Sequence, residues 1–229
     1  MLGFYDYTVI LTYCSVVSAV TGMITTLSGA GHPYVGALFL MICGLCDTFD
    51  GRIARSKKNR THKEKAFGVQ IDSLSDLVAF GVLPVCIGIA LYRRDIFDMR
   101  YNGAARSVLS HVPYIVLIGL SALFVLCALI RLAYFNITVE ETQSDALGDK
   151  KHYFGLPVTS TALIFPTFLL IRWILDINMS YIYYILLIIV GVLFIIRFKL
   201  KKPGSAMIYL MVGIGAIEFI AVFVMRLMK

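Results

Sequence analysis

The chain contains the block Asp47-Thr48-Phe49-Asp50-Gly51-Arg52-Ile53-Ala54-Arg55 and, after a basic run, the block Gly68-Val69-Gln70-Ile71-Asp72-Ser73-Leu74-Ser75-Asp76. Both blocks lie at the polar ends of long apolar segments, and together they carry four aspartates. An acidic side chain is costly in an apolar segment of membrane-spanning length, so each aspartate is a candidate functional residue. The two blocks therefore predict a polar site at one end of a membrane helix bundle.

The spacing of the aspartates predicts that they meet. Asp47 and Asp50 are three residues apart and Asp72 and Asp76 are four apart, so each pair shares one face of a helix. If the two helices pack together at this level, four carboxylates come close, and such a group needs a compensating cation. Mg²⁺ binds carboxylates together with substrate phosphate oxygens. We therefore expect a divalent metal site.

The pattern Asp47-x-x-Asp50-Gly51-x-x-Ala54-Arg55 … Gly68-x-x-x-Asp72-x-x-x-Asp76 resembles the motif of the CDP-alcohol phosphotransferases. The resemblance implies that a CDP-linked phosphatidyl group is transferred to an alcohol and that CMP is released, with two divalent cations, Mg²⁺ or Mn²⁺, as cofactors. The sequence departs from the family in the twelve residues 56–67, which are more than the family usually has between the blocks. We interpret residues 56–67 as an inserted basic loop.

The resemblance also implies a role for each motif residue. Asp76 is the candidate general base for the acceptor hydroxyl and also contributes to the metal site. The metal ligands are Asp47, Asp50, Asp72 and Asp76. The CDP-binding residues are Asp47, Gly51, Ala54, Arg55, Gly68 and Asp72.

Composition places the chain in the membrane. Of its 229 residues 59% are hydrophobic and 15% are charged, which is typical of a polytopic membrane protein and not of a soluble domain. We expect no nucleic-acid partner for the net charge of +7, because cytoplasmic loops of membrane proteins concentrate lysine and arginine. The five cysteines lie in apolar segments, and we interpret Cys43-x-x-Cys46 as helix packing and not as a metal or redox pair.

The fold class predicted is all-α, a polytopic integral membrane helix bundle with about seven transmembrane helices. In terms of the family this is a six-helix core with an extra C-terminal span, and it forms a single domain over residues 1–229. A spanning helix needs about 20 mainly apolar residues. The candidate spans are residues 8–28, 34–54, 69–92, 112–135, 156–175, 180–198 and 205–227.

The basic residues predict the orientation. Most of the 21 lysines and arginines fall in the loops after spans two, four and six, which share one side of the membrane. By the positive-inside rule this side is cytoplasmic, and it is the side of the aspartates. The arginines of the 93–111 loop oppose this assignment. We expect an integral protein of a prokaryotic cell membrane, with its active site facing the cytoplasm.

A second pair of motifs bears on the acceptor. The block Arg131-x-x-x-Phe135-Asn136, followed by an acidic polar loop and Gly155-Leu156-Pro157, resembles the phosphatidylserine synthase branch of the family. The resemblance implies CDP-diacylglycerol and L-serine as substrates. Arg131 has two interpretations: it holds the serine carboxylate by paired hydrogen bonds, or it anchors a helix end at the interface. The candidate acceptor or lipid-phosphate residues are Arg131, Asn136, Lys151 and Gly155.

Several alternatives stay open at this level. The acceptor is serine in our interpretation, with glycerol phosphate or inositol phosphate as alternatives, and the donor is a diacyl or an archaeal ether lipid. An ion transporter is the alternative from another class, since buried carboxylates also mark ion pathways. We expect membrane lipids as partners and, from the family, a homodimer. Thr12 and Ser15 are expected near the nucleotide, and Glu218 at a structural contact.

Overall fold

The computed structural model describes residues 7–57, 61–101, 113–144, 152–175 and 180–201, with Gly3 and scattered positions between 213 and 224. Short 3₁₀ turns at Tyr7–Val9 and Val158–Ser160 precede two of the helices. Between residues 7 and 201 the described α-helices are α1 Ile10–Leu27, α2 Pro33–Ser56, α3 His62–Asp76, α4 Leu83–Tyr101, α5 Tyr114–Ser144, α6 Thr161–Ile174 and α7 Ser180–Ile195. A π-helical segment, Leu77–Val82, joins α3 to α4. Two short strands, β1 His152–Phe154 and β2 Lys199–Lys201, complete the described part.

The helices confirm the predicted polytopic membrane bundle. Within the described residues four helical stretches are long and apolar enough to cross a membrane: Tyr7–Leu27, Pro33–Ile53, His62–Asp98 and Tyr114–Thr138. Two shorter apolar helices, Val158–Ile174 and Ser180–Ile195, follow them. The predicted seventh span, 205–227, lies largely outside the described residues, and so does Glu218.

The third span begins earlier than its predicted start at residue 69. Thr61 caps α3 with its side chain, and Glu64 returns a hydrogen bond to the Thr61 backbone, so the helix starts at His62. The predicted loop over 56–67 is therefore wrong in extent, because α2 continues to Ser56 and the capping box then starts α3 within a few residues. The continuous helical stretch His62–Asp98 has 37 residues. At a rise of about 1.5 Å per residue it extends well beyond a hydrocarbon core of about 30 Å.

Two other predicted loops are also shorter in the structure than the sequence predicted. The fourth span was expected to end at residue 135, before an acidic polar loop, yet α5 runs on to Ser144. Many polar residues have good helix propensity, so a helix can continue beyond the end of its apolar segment, as α5 does. In the same way, α4 continues to Tyr101, into the stretch assigned to the 93–111 loop.

Small residues bring the helices close together. A side chain at Gly22 of α1 would lie 2.6 Å from the Cβ of Phe39 on α2, and one at Gly44 of α2 would lie 2.7 Å from the Cβ of Ala162 on α6. Both distances are far below normal contact, so these positions admit only glycine at the present helix spacing. The helix α2 is thereby held between α1 and α6, with the aspartate end of α2 beside the first turns of α1.

One end of the bundle gathers the chain segments that carry the motifs. It contains the start of α1, the junction of α2 and α3, the end of α5, the start of α6 and the end of α7. The strands β1 and β2 pair antiparallel here, with His152 opposite Lys201 and Phe154 opposite Lys199. This ribbon was not predicted, and it ties the segment before α6 to the segment after α7.

Candidate active site

Three of the four aspartates form a compact cluster. Asp47 and Asp50 lie in the last turns of α2 and Asp72 lies on α3, and oxygen atoms of the three carboxylates are all within 4.8 Å of one another. This confirms that the two blocks meet. Carboxylate oxygens at such separations suit a hard divalent cation, so the described residues fit the Mg²⁺ or Mn²⁺ that the sequence predicted.

Asp76 lies one turn beyond Asp72 on the same helix. Its side chain is buried, and it interacts electrostatically with the other three carboxylates. The π-helical segment begins directly after it. Single turns of π-helix are frequent at functional sites, because the wider turn changes the direction in which the following side chains face.

The first helix supports the cluster from one side. The Thr12 hydroxyl donates a hydrogen bond to Oδ2 of Asp50 across 3.4 Å, and the Ser75 hydroxyl donates to the backbone carbonyl of Thr12 across 3.3 Å. Thr12 therefore contacts both aspartate helices. Ser15, expected near the nucleotide, accepts a hydrogen bond at its backbone carbonyl from the Cys43 thiol across 3.3 Å. Cys43 is fully buried, in keeping with its interpretation as a packing residue.

The expected CDP-binding residues lie on the same two helices. Gly51 follows Asp50 directly, and Gly68 stands one turn before Asp72. The backbone of α2 is helical through Ala54 and Arg55, but the side chains of these two residues lie outside the described part of the structure, as does Lys151. Their roles stay predictions.

The fifth helix connects the second motif pair to the aspartates. The Asn136 side-chain amide donates to the Ser73 hydroxyl across 2.9 Å, and Ser73 directly follows Asp72. Eight residues further along the aspartate helix, a Cβ at Gly81 would lie 3.4 Å from the Cβ of Ala128, which stands eight residues before Asn136. These two contacts give α5 an antiparallel register in which Arg131 is opposite residue 78. Since Val78 is two residues beyond Asp76, the backbones of Arg131 and Asp76 differ in depth by about 3 Å along the helix axis.

Arg131 is held in place on two sides. The residue is 7% exposed, its Nε donates to the backbone carbonyl of Leu156 across 3.1 Å, and its guanidinium lies 5.7 Å from the centroid of the Phe135 ring. Gly155 stands beside it. The structure therefore brings together two of the four expected acceptor residues, Arg131 and Gly155, and places Asn136 on Ser73 instead.

The sequence model for the family of CDP-alcohol phosphatidyltransferases matches residues 8–197. The chain belongs to the CDP-alcohol phosphatidyltransferase family. This confirms the resemblance carried by the two blocks, and the match includes α1 to α7 and every described residue of the candidate site.

Several proteins similar to this chain are named as enzymes of phosphatidylserine or archaetidylserine synthesis. The chain is 34% identical over 159 residues to the CDP-diacylglycerol–serine O-phosphatidyltransferase of Saccharomyces cerevisiae, covering 68% of this chain and 49% of that protein. It is 31% identical over 144 residues to the enzyme of the same name from Helicobacter pylori, covering 62% and 49%. It is 29% identical over 169 residues to the archaetidylserine synthase of Methanothermobacter thermautotrophicus, covering 73% and 60%. The chain spans about half the length of the first two.

Three hydrogen bonds at the candidate site were not predicted from the sequence: Thr12 to Asp50, Asn136 to Ser73, and Arg131 to the Leu156 carbonyl. Thr12 and Asn136 were singled out, but for contacts with substrate. Each link joins residues at least 25 positions apart, and no local spacing predicts such contacts.

Proposed function

We propose that this chain transfers the phosphatidyl group of CDP-diacylglycerol to L-serine and releases CMP. The observation that supports the acceptor assignment is the depth of Arg131: the register of α5 against the aspartate helix puts the backbone of this residue near the depth of Asp76. A buried guanidinium and a general base at similar depth suit an acceptor with both a hydroxyl and a carboxylate. The names of the relatives from Saccharomyces, Helicobacter and Methanothermobacter agree with serine as the acceptor.

The proposed chemistry is a displacement at phosphorus. Asp76 accepts the proton of the serine hydroxyl, and the serine oxygen bonds to the phosphorus that carries the diacylglycerol. The bond from that phosphorus to the bridging oxygen breaks, and CMP leaves with its electron pair. Asp47, Asp50, Asp72 and Asp76 would hold two divalent cations. When bound, these cations neutralise the diphosphate and the charge that develops on CMP.

The other residues bind and orient substrates in this proposal. Gly51, Ala54, Arg55 and Gly68 form the pocket of the nucleotide, and Arg131 holds the serine carboxylate. Asn136 orients the helical turn that carries Asp72 through its hydrogen bond to Ser73. Lys151 binds the lipid phosphate. The acyl chains enter sideways from the bilayer, which suits an amphiphilic donor and a water-soluble acceptor.

We further propose that residues 1–229 form a single domain, in a homodimer in a prokaryotic cell membrane, with the site facing the cytoplasm. The basic residues after α2 and α7 support this orientation. Membership of a transferase family favours this function over an ion transporter.

The test is CMP release by the protein purified in detergent. CDP-diacylglycerol is supplied with Mg²⁺ or Mn²⁺, and serine, glycerol phosphate and inositol phosphate are offered separately, with Asp76→Asn as the inactive control. Release that depends on serine supports the proposal. Release only with a phosphate-bearing acceptor refutes the serine assignment and retains the chemistry. Release only with an archaetidyl donor changes the lipid and not the acceptor.

A further inference from the structure

The dipeptide Gly155-Leu156 is hydrogen-bonded on two sides. The Gly155 N–H donates to the carbonyl of Phe198 across 2.8 Å, and the Leu156 N–H donates to the carbonyl of Leu193 across 3.3 Å. Both acceptors belong to the end of α7 and the residues that follow it. On its other side, the Leu156 carbonyl accepts the hydrogen bond from Nε of Arg131. The dipeptide is therefore a bridge between the end of α7 and the guanidinium of Arg131.

Gly155 has a backbone conformation and a packing environment that both select glycine. Its φ of +74° lies in the left-handed region, where a side chain is strained. A Cβ would lie 3.1 Å from the carbonyl oxygen of Ile196, closer than a normal contact, and 3.5 Å from Nε of Arg131. Any larger residue would thus disturb the backbone on the α7 side and touch the guanidinium on the other.

The bridge fixes the orientation of Arg131. The guanidinium is planar, so a hydrogen bond from Nε to a backbone carbonyl sets the direction of its outer edge. Phe135 covers the guanidinium at 5.7 Å. Since Nε is engaged, the two Nη groups form the outer edge, and the described residues provide no carboxylate partner for them. This edge is a preformed fork for an anionic group with two oxygens.

We infer that Gly155 is a positioning residue for the acceptor, because its backbone seats Leu156 between the end of α7 and Arg131 and so aims the Arg131 fork. This inference rests on the proposed function, in which Arg131 holds the serine carboxylate. It adds a determinant of acceptor specificity that touches no substrate. It also makes the end of α7 part of the acceptor site, although α7 carries none of the motif residues.

The test is the kinetics of Gly155→Ala measured against Gly29→Ala. Gly29 also has a positive φ, of +55°, but a Cβ there would meet nothing within 4 Å, so it reproduces the backbone strain without the contacts. We expect Gly155→Ala to raise the KM for serine about tenfold, as for loss of an aligned charged hydrogen bond, with kcat and the KM for CDP-diacylglycerol within about twofold. Gly29→Ala leaves all three unchanged. An unchanged serine KM, or an equal rise for both substrates, overturns the inference.

A double variant separates positioning from general disturbance. If Gly155 acts through Arg131, adding Gly155→Ala to Arg131→Ala raises the serine KM no further. A full additional rise overturns the inference. If Gly155→Ala does not fold, Gly155→Asn repeats the test, because asparagine tolerates a positive φ while its Cβ still meets Nε of Arg131. The serine KM must then rise, and an unchanged value overturns the inference.

A failure of the proposed function can be distinguished from a failure of this inference by an assay of the wild-type protein. If the proposed function is wrong, the wild-type protein releases CMP without dependence on serine. In that case the same variants are compared on the KM of the acceptor that works. A selective rise for that acceptor supports the positioning role, and no selective rise refutes it.

Discussion

Thr12 and Asp50 are joined across the α1–α2 interface by a hydrogen bond in which the threonine hydroxyl donates to the carboxylate oxygen Oδ2 at 3.4 Å. Both residues are almost completely buried, at 4% and 8% exposure. The bond orients one carboxylate of the aspartate cluster from a helix that supplies no aspartate itself. The first helix is therefore part of the candidate metal site.

Thr12→Val should weaken metal use. Valine has the shape of threonine and lacks the donor, so Asp50 keeps its place but loses the bond that aims it. We expect the Mg²⁺ or Mn²⁺ concentration for half-maximal CMP release to rise by about tenfold or more, as outer-shell substitutions at metal sites do. Thr21→Val is the control, since Thr21 on the same helix donates only within its own turn, to the carbonyl of Val17. Equal metal dependence in the two variants would contradict this role.

Asp76→Asn should abolish transfer and leave a folded protein. Asparagine keeps the shape and the burial of the side chain but cannot take the acceptor proton, so we expect a loss of about 100-fold or more in CMP release. Size-exclusion elution and thermal unfolding should match those of the wild type. Asp98→Asn, on the exposed end of α4, is the control and should retain activity. Wild-type turnover by Asp76→Asn would remove Asp76 from the role of base.

Ser73→Ala and Asn136→Ala should have effects that do not add. The two side chains bond each other at 2.9 Å, beside Asp72. If Asn136 acts through Ser73, the double variant loses no more activity than the more severe single variant. CMP release measures all three. Additive losses would show instead that Asn136 contacts a substrate, as first expected from the sequence.

Arg131→Ala should raise the KM for serine more than the KM for CDP-diacylglycerol. The loss of a charged, paired contact to the carboxylate predicts a rise of about tenfold or more. Arg197→Ala is the matched control, because Arg197 is a nearby exposed cation over the Tyr134 ring, at 5.1 Å. The result to look for is a serine-specific change in the first variant alone. A serine KM that stays at the wild-type value would remove Arg131 from the acceptor site.

Arg172→Leu should destabilise the helix bundle and leave the rate of CMP release unchanged. Its Nη2 lies 3.3 Å from Oδ1 of Asp95, and both side chains are nearly buried at the end of the bundle away from the aspartate cluster. Removing one partner of a buried pair costs about 3 kcal/mol. We expect a clearly lower unfolding temperature in detergent, with CMP release retained at low temperature. Arg94→Leu breaks a half-exposed contact of 4.0 Å to Asp98 and should change stability little; equal losses would refute the difference.

The aspartate cluster was predictable because its geometry is local. Intervals of three and four residues put each pair on one helix face, and the meeting of two such faces left little freedom in where the carboxylates would lie. The oxygen atoms of Asp47, Asp50 and Asp72 within 4.8 Å confirm this. Most spans were also predictable, since a run of apolar residues long enough to cross a bilayer has few alternatives.

The helix ends were less predictable. The start of α3 had a signal in Thr61-x-x-Glu64, but the surrounding lysines suggested a loop, because composition alone does not distinguish a solvated helix from a coil. The ribbon and the bridge to Arg131 had no signal of this kind. Phe198 and Gly155 are joined through their backbones, so no side-chain pattern marks the pair.

The pairing of β1 with β2 also determines when each half of the site is completed during synthesis. All residues of the aspartate cluster have been made once the third helix is finished, and they can assemble in the membrane at that stage. Gly155 must wait for Phe198, which follows two further helices. A nascent chain halted between α6 and β2 would therefore carry all four aspartates but lack the Phe198 carbonyl to which Gly155 donates, so in the proposed function the segment that orients Arg131 is completed after the residues that hold the metal ions.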